Sequence, residues 1–117
     1  MKRVLIADPD TAFRKALALL IARRLDIHLI DEASDAGALI EKLAELRPDL
    51  LLLSWSLHGI PGPEICVLLL NTYPDLKVVL LSLDPADAAA ASRAGAGFIC
   101  KSSPPEETLA VLTSFLG

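Results

Sequence analysis

The segment from Asp49 to Ser54 contains four consecutive leucines between two polar residues, and it constrains the fold more than any other part of the sequence. A strand that is apolar on both faces belongs in the middle of a parallel sheet that helices cover on both sides. Pro48 precedes this segment and ends the helical pattern before it. The sequence therefore predicts that residues 49–54 form a central strand of an α/β domain.

Short apolar runs alternate with helical patterns along the rest of the chain. Four further strands are predicted at residues 2–7, 27–30, 77–82 and 97–100. Five helices are predicted. The first follows a cap at Asp10 or Thr11, the second a cap at Ser34 or Asp35, and the fifth a cap at Ser103. The third begins at Pro63, and the fourth covers residues 85–94 with Gly95 as its C-cap. Alternating strands and helices with right-handed crossovers give an α/β fold with a five-stranded parallel sheet and helices on both faces. Residues 1–117 are predicted to form one domain.

Composition and charge exclude several classes of protein. Hydrophobic residues make up 53% of the chain, which excludes intrinsic disorder, and the formal net charge of −4 argues against nucleic-acid binding by this domain. No apolar run approaches the length of a membrane helix. Cys66 and Cys100 lie in apolar stretches and are expected to be buried core thiols, which suit a reducing compartment. We expect a cytoplasmic domain that does not contact membranes.

Candidate functional residues follow from the predicted topology. In open α/β sheets, ligands and chemistry gather at the carboxyl ends of the strands. The residues at these positions are Asp8, Pro9, Asp10, Ser54, Ser82 and Lys101.

At these positions the chain resembles the receiver domain of bacterial two-component response regulators, a flavodoxin-like (βα)5 domain. Six blocks carry the resemblance, at residues 4–10, 48–54, 59–62, 78–82, 95–101 and 103–107. Their order and spacing are specific, although each block alone is weak. The resemblance implies phosphoryl transfer to an aspartate at the end of the third strand, with Mg²⁺ and a lysine neutralising the transferred group.

Four positions match the residues that this family uses. The matches are Asp8 with the first acidic residue, Ser82 with the hydroxyl residue, Phe98 with the aromatic residue of the fifth strand, and Lys101 with the lysine. The segment between the fourth and fifth strands is a few residues shorter than is usual, so the fourth helix is expected to be short.

Two positions depart from the family pattern. The phosphoacceptor position holds Ser54, which has no carboxylate to form an acyl phosphate. The second acidic position holds Pro9, and Mg²⁺ usually needs one or two protein carboxylates. Asp10 is displaced into the start of the helix, where capping explains it better. We therefore expect a vestigial phosphorylation pocket, loss or weakening of Mg²⁺ binding, and no other cofactor.

The remaining pocket residues each have a structural interpretation beside the functional one. For Lys101 we favour an ion pair with Asp8 over binding of an external anion, and for Ser82 a satisfied strand-end hydroxyl over a switch. Phe98 is expected to be a fixed packing residue rather than a switch aromatic. Ser54 and His58 make a weak nucleophile–base pair without an orienting acid, so we do not expect an enzyme. Trp55 either fills the pocket or marks a contact surface.

The departures from the family predict an atypical receiver, or pseudo-receiver, that signals through phosphorylation-independent protein–protein interaction. The expected partner is a kinase, an output domain or a second copy, and a homodimer would use the face of the fourth helix, fifth strand and fifth helix. The segment 103–107 resembles receivers that precede DNA-binding helix-turn-helix domains, which suggests transcription regulation. Two alternatives stay open: small-molecule sensing in the vacated pocket, and phosphorylation at a non-standard residue.

Overall fold

A parallel sheet of five strands forms the middle layer of the computed structural model, which describes residues 2–57 and 60–116 and, at residues 29 and 30, the backbone alone. The strands are β1 (Lys2–Ala7), β2 (Ile27–Ala33), β3 (Leu50–Ser54), β4 (Lys77–Ser82) and β5 (Gly97–Cys100). Their order across the sheet is β2-β1-β3-β4-β5, with every pair parallel. This is the flavodoxin-like order that the sequence predicts.

Helices cover the sheet on both faces. They are α1 (Thr11–Arg24), α2 (Ala36–Leu46), α3 (Gly62–Thr72), α4 (Ala88–Arg93) and α5 (Pro105–Leu116). α1 and α5 pack on one face, while α2, α3 and α4 pack on the other. No helix in residues 2–57 and 60–116 is long and apolar enough to cross a membrane.

The leucines of β3 lie at the centre of both layers of the core. Leu51 and Leu53 contact the layer of α2, α3 and α4, whereas Leu50 and Leu52 contact the layer of α1 and α5. None of the four is more than 1% exposed. The prediction of a central strand apolar on both faces is confirmed.

The sequence offered two candidate N-cap residues for each of α1 and α2, and side-chain hydrogen bonds identify the N-cap in both helices. The Asp10 carboxylate accepts from the backbone N–H of Phe13 at 3.1 Å, and the Asp35 carboxylate accepts from that of Ala38 at 2.8 Å. Each aspartate satisfies an N–H group that has no partner within its helix. Gly95 follows α4 with a φ of 84°, a conformation that favours glycine.

Several predicted element boundaries were wrong, including the start of α3 at Gly62 rather than Pro63 and of β3 at Leu50 rather than residue 49. β2 continues past Ile30 to Ala33, because its pairing with β1 resumes after a register shift. The helix predicted over 85–94 divides into a 3₁₀ turn over Pro85–Asp87 and the short helix α4. α5 begins at Pro105, so Pro104 rather than Ser103 occupies the capping position.

Gly62 provides a test of the packing behind β3. A Cβ atom at this position would lie 2.8 Å from the Ser54 carbonyl oxygen and 2.9 Å from the Trp55 Cα atom. Because both neighbours are backbone atoms, Gly62→Ala is expected to lower the free energy of unfolding by about 1–3 kcal/mol in urea denaturation. The matched control is Gly37→Ala in α2, where the nearest atom is 3.4 Å away, and it should be neutral or stabilising. Equal effects of the two variants would contradict this account.

Candidate functional site

The carboxyl ends of four strands bring the predicted pocket residues to one edge of the sheet. Asp8 follows β1, Ser54 ends β3, Ser82 ends β4 and Lys101 follows β5. The backbone N–H of Lys101 donates to the carbonyl of Ser82 at 2.7 Å, which joins two of these ends directly. Asp8 and Ser54 are fully buried, and Ser82 is 5% exposed. The pocket is therefore a small polar region within an apolar domain.

A buried ion pair between Asp8 and Lys101 occupies this pocket. The Lys101 Nζ atom lies 2.6 Å from Asp8 Oδ2, and the side chains are 10% and 0% exposed. Asp8 Oδ1 accepts from the backbone N–H of Asp10 at 2.8 Å. The ammonium also lies 4.8 Å from the centroid of the Phe13 ring, a distance that allows a cation–π interaction. Asp8 Oδ1 thus has a hydrogen-bond partner, whereas buried Oδ2 has the Lys101 ammonium as its ionic partner and no hydrogen bond within the described residues.

Arg14 supports the Asp8 backbone, a role that sequence reasoning missed. Its guanidinium donates to the Asp8 carbonyl at 2.6 Å and to the Glu32 carboxylate at 3.0 Å. Arg14 is 9% exposed and lies on the buried face of α1 with Leu17 and Ile21. A cation at an apolar position of a helical pattern was the signal that could have identified it, because such a group is rarely buried without a partner.

The donors at this edge do not fit a magnesium site. Pro9 and Ser54 supply no carboxylate, and Asp10 uses its carboxylate to cap α1. The Asp8 carboxylate is in contact with the Lys101 ammonium, and the Asp87 carboxylate accepts from the Ser82 hydroxyl. Mg²⁺ prefers hard oxygen ligands that are free to coordinate it. In residues 2–57 and 60–116 no group of three or more His, Cys, Asp or Glu residues is placed to hold a metal ion.

The two serine hydroxyls at this edge have partners nearby in the chain. Ser54 Oγ accepts from the backbone N–H of Ser56 at 3.3 Å. Ser82 Oγ donates to the Asp87 carboxylate at 2.6 Å and accepts from the backbone N–H of Asp84 at 3.1 Å. The Ser82 hydroxyl is thus bound to the segment that leads into α4. His58, which the sequence pairs with Ser54, lies outside the described residues.

Phe98 and Trp55 are half-buried beside the pocket. Both pack against the apolar layer formed with α2, α3 and α4. Trp55 thus lies partly in the core and partly at the surface, and the fixed role of Phe98 stays a prediction.

The prediction of two core cysteines is right for Cys66 and wrong for Cys100. Cys66 is fully buried, and burial raises the pKa of its thiol. Cys100 is partly exposed at the end of β5, with its Sγ atom 3.2 Å from the Ser102 hydroxyl. Hydrogen bonds from Ser102 lower the pKa of the Cys100 thiol. Cys100 is the last residue of β5, which is an edge strand, whereas Cys66 lies on the buried face of α3.

Comparison with known proteins agrees with this fold. The family model described as the response regulator receiver domain matches residues 4–113, and the chain belongs to this family. It is 32% identical over 111 residues to the response regulator GacA of Pseudomonas aeruginosa, covering 92% of this chain and 51% of that protein. It is also 32% identical over 82 residues to the transcriptional regulatory protein LiaR of Bacillus subtilis, covering 70% of this chain and 39% of that protein.

Solved structures resemble the chain along nearly its whole length. A LuxR-family two-component response regulator from Aurantimonas is 27% identical with a TM-score of 0.90, covering 99% of this chain and 85% of that one. The receiver domain of the putative response regulator NarL from Mycobacterium tuberculosis is 28% identical with a TM-score of 0.84, covering 99% and 97%. The chain spans about half the length of the GacA proteins it matches.

Because the Asp8–Lys101 pair is buried, we expect the loss of Lys101 alone to lower the free energy of unfolding more than the loss of both charges. Lys101→Met leaves a buried carboxylate without its cation and is expected to lower the free energy of unfolding by about 3–5 kcal/mol in urea. The double variant Asp8→Asn/Lys101→Met should recover part of this loss, because no buried charge remains. Arg24→Gln serves as the control, since the Arg24–Glu106 pair is exposed and is worth less than about 1 kcal/mol. A double variant less stable than Lys101→Met alone would contradict this interpretation.

Proposed function

We propose that this receiver domain is a pseudo-receiver that signals through phosphorylation-independent protein–protein interaction. The observation that carries the proposal is the buried Ser54 at the end of β3, where the family has its phosphate-accepting aspartate. A serine hydroxyl has no carboxylate to form an acyl phosphate and is a weak nucleophile without an activating base. The domain is not an enzyme in this proposal.

The internal ion pair supports the same conclusion from the opposite side of the pocket. Lys101, which neutralises the phosphoryl group in the family, is held 2.6 Å from the Asp8 carboxylate. An incoming phosphoryl group would have to displace Asp8 from Lys101 and leave a buried carboxylate unpaired, which is costly. We therefore propose that Mg²⁺ binding is lost or weak and that signalling needs no cofactor.

The alternatives from the sequence are less well supported by the geometry. A kinase would have to reach Ser54, which is fully buried. Asp8 is a poor phosphate acceptor, because it is fully buried and each of its carboxylate oxygens contacts a donor. The same pair occupies the place where a small molecule would bind in a vacated pocket.

We place the interaction surface on the face formed by α4, β5 and α5, as the family resemblance suggests. β5 is an edge strand, so its outer edge is available for contact. Leu83, directly after β4, is 74% exposed, and its backbone carbonyl accepts from the Cys100 thiol at the end of β5, so Leu83 lies beside the proposed face. The proposed partner is a kinase, an output domain or a second copy of the chain. Because relatives include proteins named as transcriptional regulators, an output domain that regulates transcription is part of this proposal.

Intact-mass spectrometry after incubation with Mg²⁺ and acetyl phosphate tests the absence of phosphorylation. The unmodified domain should keep its mass, because Ser54 and Pro9 replace two acidic residues of the family pattern. Ser54→Asp alone should also stay unmodified, whereas Ser54→Asp/Pro9→Asp should gain a Mg²⁺-dependent phosphoryl adduct. A receiver domain with an intact acidic pocket is the positive control. A stoichiometric adduct on the original chain would overturn the proposal.

The placement of the interaction surface is tested with two leucine variants. Leu83→Glu should reduce self-association measured by sedimentation velocity, because it puts a charge into the proposed contact. Leu68→Glu is the matched control, since Leu68 is 57% exposed but lies on α3. Equal reduction by both variants would show that another surface mediates association. Sedimentation as a monomer at all concentrations would remove the homodimer and leave a kinase or an output domain as the partner.

A further inference from the structure

A groove along α1 is the feature that the proposed function does not use. It has a volume of about 530 Å³ and lies between α1 and the segment 101–108. Phe13, Leu17 and Leu20 line it with apolar side chains. Cavities of this volume, mostly apolar with a few polar groups, are typical of small-molecule sites.

The charged residues of the groove all have the same sign. Arg23, Arg24 and Lys101 line it, and no aspartate or glutamate does. This contrasts with the chain as a whole, which has a formal net charge of −4. Arg23 is exposed and makes no ion pair within the described part of the chain. The groove therefore combines an apolar lining with a cation that is available to an anionic group.

Contacts between the two walls limit the length of the groove at both ends. At one end the Lys101 ammonium lies 4.8 Å from the centroid of the Phe13 ring. At the other end Arg24 forms an ion pair with Glu106 at 3.3 Å. A peptide that ran along α1 would have to break these contacts, whereas a small molecule fits between them. The bounded length favours a small ligand over a partner helix.

We propose that this groove binds a small amphipathic anion, with a carboxylate, sulfonate or phosphate group held by Arg23 and a hydrocarbon or aromatic body against Phe13, Leu17 and Leu20. The site is separate from the vestigial pocket, although the Lys101 side chain contributes to both. This inference does not depend on whether the domain accepts phosphate.

The probe for the site is 8-anilinonaphthalene-1-sulfonate, an aromatic anion whose fluorescence rises in apolar surroundings. We expect saturable binding of one probe per domain, and N-phenyl-1-naphthylamine, which lacks the sulfonate, should bind about tenfold more weakly because it loses a charge-assisted hydrogen bond. Equal affinity of the two probes would overturn the proposed role of Arg23.

Two pairs of variants locate the probe. Ala16→Trp fills the groove and should abolish saturable binding, whereas Ala22→Trp, also exposed on α1 but outside the groove, should not. Arg23→Glu should weaken binding at least about tenfold. Arg93→Glu on α4 makes the same change in net charge and should leave binding unchanged. Circular dichroism checks that each variant is folded, and the arginine pair keeps the test decisive if Ala16→Trp does not fold.

The outcomes that would overturn the proposal are distinct. Probe binding that neither Ala16→Trp nor Arg23→Glu weakens would place the probe elsewhere on the domain. A concentration-dependent dimer in light scattering that Ala16→Trp converts to monomer would identify a second copy of the chain as the occupant. Neither result bears on phosphorylation at Ser54, so failure here is distinguishable from failure of the proposed function.

Discussion

The four leucines of β3 must be covered from both sides, and this requirement determines the arrangement of the whole domain. Helices on both faces of a parallel sheet need crossover connections, and these direct the carboxyl end of every strand to the same edge. Asp8, Ser54, Ser82 and Lys101 meet at that edge although they are far apart in the sequence. The parallel arrangement that buries the apolar strand therefore also brings the polar pocket residues together at one edge of the sheet.

Within this pocket, most polar side chains have partners in the domain itself, and Asp8 Oδ2 is held by an ionic contact without a hydrogen bond. Lys101 neutralises Asp8, and the Asp87 carboxylate accepts from the Ser82 hydroxyl. A buried ion pair adds little net stability compared with apolar residues, but loss of one partner is costly. In our proposal, the pocket therefore resists an incoming anion rather than recruiting one. This property distinguishes it chemically from a site that waits for a phosphoryl group.

The two surfaces that we propose as functional share one helix. α5 contributes Thr108 both to the groove along α1 and to a smaller cavity between β5 and α5. The face of α4, β5 and α5 thus lies on the other side of the same helix from the groove. A ligand in the groove would contact the helix that a protein partner also contacts. This arrangement gives the two proposed sites a direct physical connection.

The order of strands and helices, the buried central strand and the positions of the pocket residues were all determined by the sequence. These features depend on local hydrophobic periodicity, on capping residues and on the loop positions that follow each strand, and all of these can be identified in the sequence. The sheet edge that holds Asp8 and Lys101 was predictable for the same reason, whereas the short α4 was implied by the family resemblance.

Only the tertiary structure decided several polar partners that the sequence did not indicate. The bond from Ser82 to Asp87, the support of the Asp8 backbone by Arg14 and the partial exposure of Cys100 depend on how separate elements approach one another. The groove along α1 has the same origin, because its second wall comes from a segment about 80 residues further along the chain. Periodicity shows which face of an element is buried, but the distances between elements are set by the packing of the whole core.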